Sequence, residues 1–202
     1  VAGILYMVFL HFSWLTLGLG VLWHILCMLS TTAGYHRLFA HKAYKGSAPL
    51  RLFYLLFGAA SGQASVLNWA ADHRDHHAST DSEEDPYNIR KGFWWAHIGW
   101  LFFRDPAPRP RNVRDLEASA MIRFQHRFYV LLLLGVGFLA PLLIAASWGD
   151  PVGGFLVAGF VRLMFQYHAT FSINSVAHTI GCRPYSSTTS ARDSGLTAIL
   201  TL

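Results

Sequence analysis

The chain has 202 residues, 53% hydrophobic and only 13% charged, with seven Trp, fifteen Phe and a formal net charge of +5. Soluble domains carry about 25% charged residues, so this composition excludes an ordinary soluble enzyme and describes a membrane protein. The positive balance fits the Lys and Arg excess of cytoplasmic membrane loops, and nucleic acid is not an expected partner. Two cysteines cannot build a disulfide framework, and Cys27 lies in an apolar run as a small hydrophobe.

From Val1 to Ser30 there is no Lys, Arg, Asp or Glu. A span needs about 20 apolar residues, so a turn near Ser13–Gly20 is expected to separate the tail of a first span from a second ending near Thr32. Val1 falls inside the apolar run with no charged segment before it, which does not fit a signal peptide. Leu202 ends the chain in mid-pattern, and both ends are expected to be cut. His11 and His24 have no second ligand at helical spacing and are expected to be interfacial or packing residues.

The segment Thr32–His41 carries His36 and His41, five apart and about 140° around an ideal helix. They cannot face one point unless the helix end unwinds, or unless they serve two metals. Pro49–Trp69 is long enough to cross a membrane, but a crossing would put roughly 30 Å of bilayer between the His sets on either side of it. It is therefore expected to lie in the interface or to dip in and return.

Asn68–His77 reads NWAADHRDHH. His73, His76 and His77 stand at i, i+3 and i+4, on one helix face, so their imidazoles can converge on one point. Converging neutral imidazoles form a transition-metal site. The run Asp81-Ser-Glu-Glu-Asp-Pro-Tyr is expected to be a solvated acidic turn. Phe93–Trp100 returns aromatics to the interface, and Pro106, Pro108 and Pro110 mark a linker. Thirteen of the sixteen Lys and Arg fall between Arg37 and Arg127, which places this region in the cytoplasm.

Phe128–Trp148 is expected to be a third span and Pro151 to about Asn174 a fourth, joined by Gly149 and Asp150 as an antiparallel hairpin. The fourth span returns Asn174 and His178, four apart on one face, to the side of the other His sets. Arg162 within it is expected to face the protein interior or a wet cavity. His168 is expected to be a core or tunnel residue, not a ligand.

His36, His41, His73, His76, His77 and His178 exceed the needs of one metal, so a dinuclear site at the membrane surface is the economical reading. An apolar tunnel rising to it from the bilayer would suit a long-chain lipid. Attack on unactivated C–H bonds needs a redox metal and O2, which excludes zinc as the working metal.

The motifs GYHRLFAH, NWAADHRDHH with STDSEEDPYN and RKGFWWAHIGW, and NSVAHTIGCRPY resemble the integral-membrane acyl desaturases of the stearoyl-CoA, or delta-9, type. The resemblance runs through nearly the whole chain. It implies an all-α membrane fold, with a four-helix transmembrane stem (its first span truncated here) under a helical cytoplasmic cap that carries the His-rich di-metal site. The whole of residues 1–202 would be one desaturase domain, incomplete at both ends.

The activity implied is insertion of a cis double bond, of delta-9 type, into a saturated long acyl chain. It uses two irons and O2, with electrons from a donor such as cytochrome b5 or ferredoxin. The membrane would be a bacterial inner membrane or the endoplasmic reticulum, with the metal site on the cytoplasmic face. Carried over by position, the family's metal ligands fall on His36, His41, His73, His76, His77 and His178, with Asn174 acting through water.

The resemblance assigns the bend of an acyl tunnel to Gln63, Trp69 and Thr170, and head-group contacts to Asp72 and Arg104. Ala71 and Asp105 stand where the acyl-CoA enzymes carry Arg and Lys. These changes remove positive charge where the CoA phosphates would sit, which leaves an acyl lipid or acyl carrier protein beside acyl-CoA as the substrate form. A third HxxHH is expected shortly after Leu202, and residues 1–202 alone are expected to bind metal poorly and not to desaturate. The nearest alternative is a membrane di-iron hydroxylase of alkyl or lipid substrates, separated by product analysis. A metal transporter would place its ligands near the membrane midplane instead.

Overall fold

The computed structural model describes residues 1–103, 112–184 and 188–201. Among them the chain is helical, with one isolated β-bridge between Cys182 and Asp193. The helices are α1 (residues 2–10), α2 (Trp14–Ala40), α3 (Ala48–Ala60), α4 (Val66–Ser79), α5 (residues 95–103), α6 (Ala120–Arg127), α7 (Tyr129–Ala146), α8 (residues 151–175) and α9 (Gly195–Thr201). The proline linker, Pro106 to Pro110, lies outside the described residues.

Two of these helices, α2 and α7, are long and apolar enough to cross a membrane. Their outward faces are apolar, with Leu15 63% and Leu131 65% exposed, as a lipid-facing surface requires. The break between α1 and α2 falls at 11–13, at the leading edge of the expected window. His11 is extended there, and the Ser13 side chain accepts the Thr16 N–H at 3.3 Å as an N-cap. Gly18 and Gly20 continue the helix rather than turning it.

The short connection after α7 is more than a loop. Asp150 is buried and accepts hydrogen bonds from Tyr6 Oη (2.7 Å), the Gly153 N–H (2.8 Å) and the Thr16 hydroxyl. It thereby caps α8 and ties α1 and α2 to the hairpin. Arg162, on α8, is 2% exposed and faces the interior as expected. Its guanidinium donates to the carbonyls of Ala60 (2.7 Å) and Gly137 (3.0 Å). These bonds hold the end of α3 against α7 and α8. Cys27 is fully buried beside it.

The Pro49–Trp69 segment is not one helix. At 13 residues, α3 is about 20 Å long at 1.5 Å per residue, short of the roughly 30 Å core. The chain then turns at 61–65, through positive φ at Gly62 (76°) and Ala64 (71°), into α4. A side chain at Gly62 would press on the Tyr167 hydroxyl, whose Oη–H donates to the Gly62 carbonyl at 3.0 Å. Tyr129 Oη accepts the Ala64 N–H at 3.1 Å, and Gln125 Oε1 accepts the Val66 N–H at 3.1 Å. This fixed turn keeps α4 beside the end of α2, which is what the two His sets need.

Candidate metal centre

The end of α2, Ser30–Ala40, is a π-helix of 11 residues. Its i to i+5 bonding brings residues five apart onto one face, and the His41 N–H donates to the His36 carbonyl at 3.0 Å. The two rings lie 4.6 Å apart. The helix widens instead of unwinding, and spacing that defeats an α-helix becomes the spacing of a ligand pair.

Helix α4 brings His73 and His77 against this pair. The ligand atoms of His36, His41, His73 and His77 all lie within 4.8 Å of one another. His73 Nε2 is 2.9 Å from His41 Nε2 and 3.1 Å from His77 Nε2. Opposite ligands of an ion bound at about 2.1 Å are about 4.2 Å apart, so small ring rotations would close this set on one metal. Burial, followed by the neighbouring His36, His77 and His41, pushes the His73 pKa down to about 2. Burial also lowers His41 and His77. The set is therefore neutral at pH 7, the form that ligates metals.

His76 and His178 form a second set, with ring centroids 5.8 Å apart. Each has its outer nitrogen occupied. His76 Nδ1–H donates to Asp85 at 2.8 Å, while His178 Nδ1–H donates to Ser190 Oγ at 2.6 Å, and the Ser190 hydroxyl donates to Asp81. Partners of this kind fix the tautomer and leave Nε2 as the free ligand atom. Burial raises the Asp85 carboxyl, but the His76 N–H and the Asp81 and Tyr87 amides outweigh it and leave Asp85 below its ordinary value. Asn174 is half-buried on α8, one helical turn before His178.

The acidic run is not the solvated turn expected from its charge. Asp81 is 5% and Asp85 3% exposed, because both carboxylates are turned inward to the imidazoles. Arg74, inside the second His motif, was also illegible in sequence. Its guanidinium donates to the Phe39 and Ala40 carbonyls, each at 3.0 Å, and holds both oxygens of Asp115 at 2.9 and 3.1 Å. It thus satisfies carbonyls left open at the end of the π-helix and locks that end, with His36 and His41, to α4. Hydrogen bonds from Arg74 hold the Asp115 carboxyl well below the usual range. An acid every few residues near a His motif was the available signal for these partners.

Gln63, Trp69 and Thr170 come together as one hydrogen-bonded group. Gln63 Nε2 donates to Thr170 Oγ1, and Trp69 Nε1 donates to Gln63 Oε1 at 3.2 Å. The Trp69 ring stacks on His73 at 4.7 Å, which sets the group one ring from the first His set. Asp72 is half-buried on α4, and Arg104 and Asp105 lie outside the described residues. His168 is exposed rather than set in the core as expected, and pairs with His97 at 3.0 Å.

The profile of the fatty acid desaturase family matches residues 12–202. The chain is 43% identical over 190 residues to the probable acyl-CoA desaturase of Schizosaccharomyces pombe, covering 93% of this chain and 40% of that protein. It is 44% identical over 177 residues to acyl-CoA desaturase 1 of Saccharomyces cerevisiae, covering 86% and 34% respectively. With human stearoyl-CoA desaturase it shares 37% identity over 195 residues, covering 93% and 54%. The chain thus spans between about a third and about half the length of these relatives. A family profile matched over residues 12–202, with relatives 37–44% identical over most of the chain, leads to one assignment: the chain belongs to the fatty acid desaturase family.

Proposed function

We propose that this chain carries the metal-binding core of an O2-dependent fatty acyl desaturase that places a cis double bond, of delta-9 type, in a saturated long acyl chain. One observation carries the reading: two adjoining His sets, one of four convergent imidazoles and one whose outer nitrogens are held by Asp85 and by Ser190 with Asp81. His36, His41, His73 and His77 would hold one iron; His76 and His178, with Asn174 through water, would hold the other.

Two irons with O2 supply the oxidising power that abstraction from an unactivated methylene requires. The balance is one –CH2–CH2– unit, O2, two electrons and two protons giving –CH=CH– and two waters, so an external donor such as cytochrome b5 or ferredoxin is needed. The side chains hold the imidazoles neutral and oriented, and Gln63, Trp69 and Thr170 give the acyl passage a hydrogen-bonded elbow beside His73. Asp72 and Arg104 would meet the head group of an acyl-CoA, acyl lipid or acyl carrier protein.

The arrangement fits a four-helix stem of α1, α2, α7 and α8, with α3 and α4 at its cytoplasmic end. A multi-pass membrane enzyme with its metal site on the cytoplasmic face follows from the Lys and Arg excess between Arg37 and Arg127. The test is expression of the gene in a desaturase-deficient host, with analysis of acyl products and of metal in the purified protein. Monounsaturated chains that disappear in a His73→Ala variant, with iron in the wild type, support the reading. Hydroxylated chains in place of alkenes would transfer the protein to the hydroxylases.

A further inference from the structure

A cleft of about 410 Å³ opens between the end of the π-helix, the start of α3 and the short helix Arg114–Glu117. This falls in the size range of small-molecule sites, about 300–1,000 Å³. None of the candidate metal ligands lines it.

Lys42, Lys45 and Arg51 line this cleft. The facing acid, Asp115, is committed to Arg74 and, at 3.0 Å, to Lys42. Lys45 has no ion pair among the described residues, and Arg51 donates only to the neutral Ser119 hydroxyl, at 3.3 Å. Among the described residues, two cations therefore remain uncompensated. The wall beneath them is apolar, formed by Leu38, Phe39 and Leu116.

The surroundings are apolar as well. Leu52, on α3, is 45% exposed, and Phe124, on the adjoining α6, is 55% exposed. Helix α3 is too short to cross a bilayer, so its exposed leucines mark the level of the membrane interface. Cations over an apolar wall, bordered by exposed apolar side chains, complement an amphiphile with a phosphate head. A wholly polar anion would leave that wall uncovered, and a protein surface would not need a cleft.

We propose that this cleft binds the phosphate of an anionic membrane phospholipid, held by Lys45 and Arg51, with the glycerol backbone against Leu38 and Leu116. Phosphate is the recognised group, and the apolar wall distinguishes its lipid ester from the free ion.

The intact protein in non-ionic detergent is titrated calorimetrically with dihexanoyl phosphatidylglycerol, dihexanoyl phosphatidylcholine and inorganic phosphate. The expected order is phosphatidylglycerol at least about tenfold tighter than phosphatidylcholine, whose quaternary ammonium sets a like charge against Lys45 and Arg51, and than inorganic phosphate, which leaves the apolar wall uncovered. A Lys45→Ala/Arg51→Ala variant should lose at least about tenfold in phosphatidylglycerol affinity, while Arg51→Lys, which keeps the charge, should retain most of it. An unchanged thermal unfolding profile separates loss of the site from loss of the fold. Equal binding of phosphatidylcholine, or no effect of the double variant, would overturn the proposal. Equally tight binding of inorganic phosphate would reduce the cleft to a simple anion site and overturn the lipid assignment. No response to phosphatidylglycerol would also overturn it, whatever an acidic protein did in its place.

Discussion

His36 and His41 are five residues apart and share a face because the His41 N–H bonds to the His36 carbonyl across a π-turn, leaving their rings 4.6 Å apart. Both rings therefore belong to one ligand set. Alanine at either position is expected to weaken metal binding by at least the roughly 10–100-fold that loss of an outer partner costs. His11→Ala, at an exposed residue between α1 and α2, should leave it unchanged. A competitive chelator titration of the purified variants reads both.

Asp85 holds His76 by its outer nitrogen at 2.8 Å and accepts two backbone N–H groups besides. Asp85→Asn keeps the shape and removes the charge. Metal affinity should fall roughly 10–100-fold, with little change in helix content by circular dichroism. Undiminished affinity would remove Asp85 from the machinery of the site.

Arg74 ties α4, which carries His73 and His77, to the end of the π-helix that carries His36 and His41, by four hydrogen bonds to Phe39, Ala40 and Asp115. Lysine cannot reproduce this planar fork, so Arg74→Lys should cost about 1–3 kcal/mol of stability. The expected signature is a lower midpoint of thermal unfolding together with weaker metal binding, because the end of the π-helix is released.

A Cβ at Gly34 would stand 2.7 Å from the Tyr54 ring. Gly34→Ala forces α2 and α3 apart where the first His set begins, and overpacking of this kind costs about 1–3 kcal/mol. Gly18 has open space around it, so Gly18→Ala should be neutral or slightly stabilising within the helix. Paired unfolding curves test the contrast.

The pH dependence follows from His73. Its folded pKa is depressed to about 2 against 6.5 in a free side chain. Between these values the unfolded chain binds a proton that the folded one refuses, so acid favours unfolding. Metal-free protein should keep full stability above about pH 6.5 and lose it progressively below. His41 and His77, also depressed by burial, add to the slope. His73→Ala should flatten it, as read from denaturation midpoints across a pH series.

The sequence by itself determined the helical, apolar character of the chain and which imidazoles lie at helical spacing. Apolar runs without charge are satisfied as helices in lipid, and His73 and His77 converge as the helical period predicts, whereas His76, expected to converge with them, turns to His178 and Asp85 instead. It could not decide how His36 and His41 meet, since their separation fits neither α period nor a simple turn; the π-helix is stabilised by the packing of α2 on α3 and α4. Nor could local pattern show that Asp81 and Asp85 point inward. A charged run reads as solvated until a folded partner is placed against it, and those partners, His76 and His178 with Ser190, lie up to 109 positions away in sequence. Tertiary structure decided which carboxylates hold the imidazoles because buried charge is tolerated only where it is paired, and pairing at that range is a property of the fold.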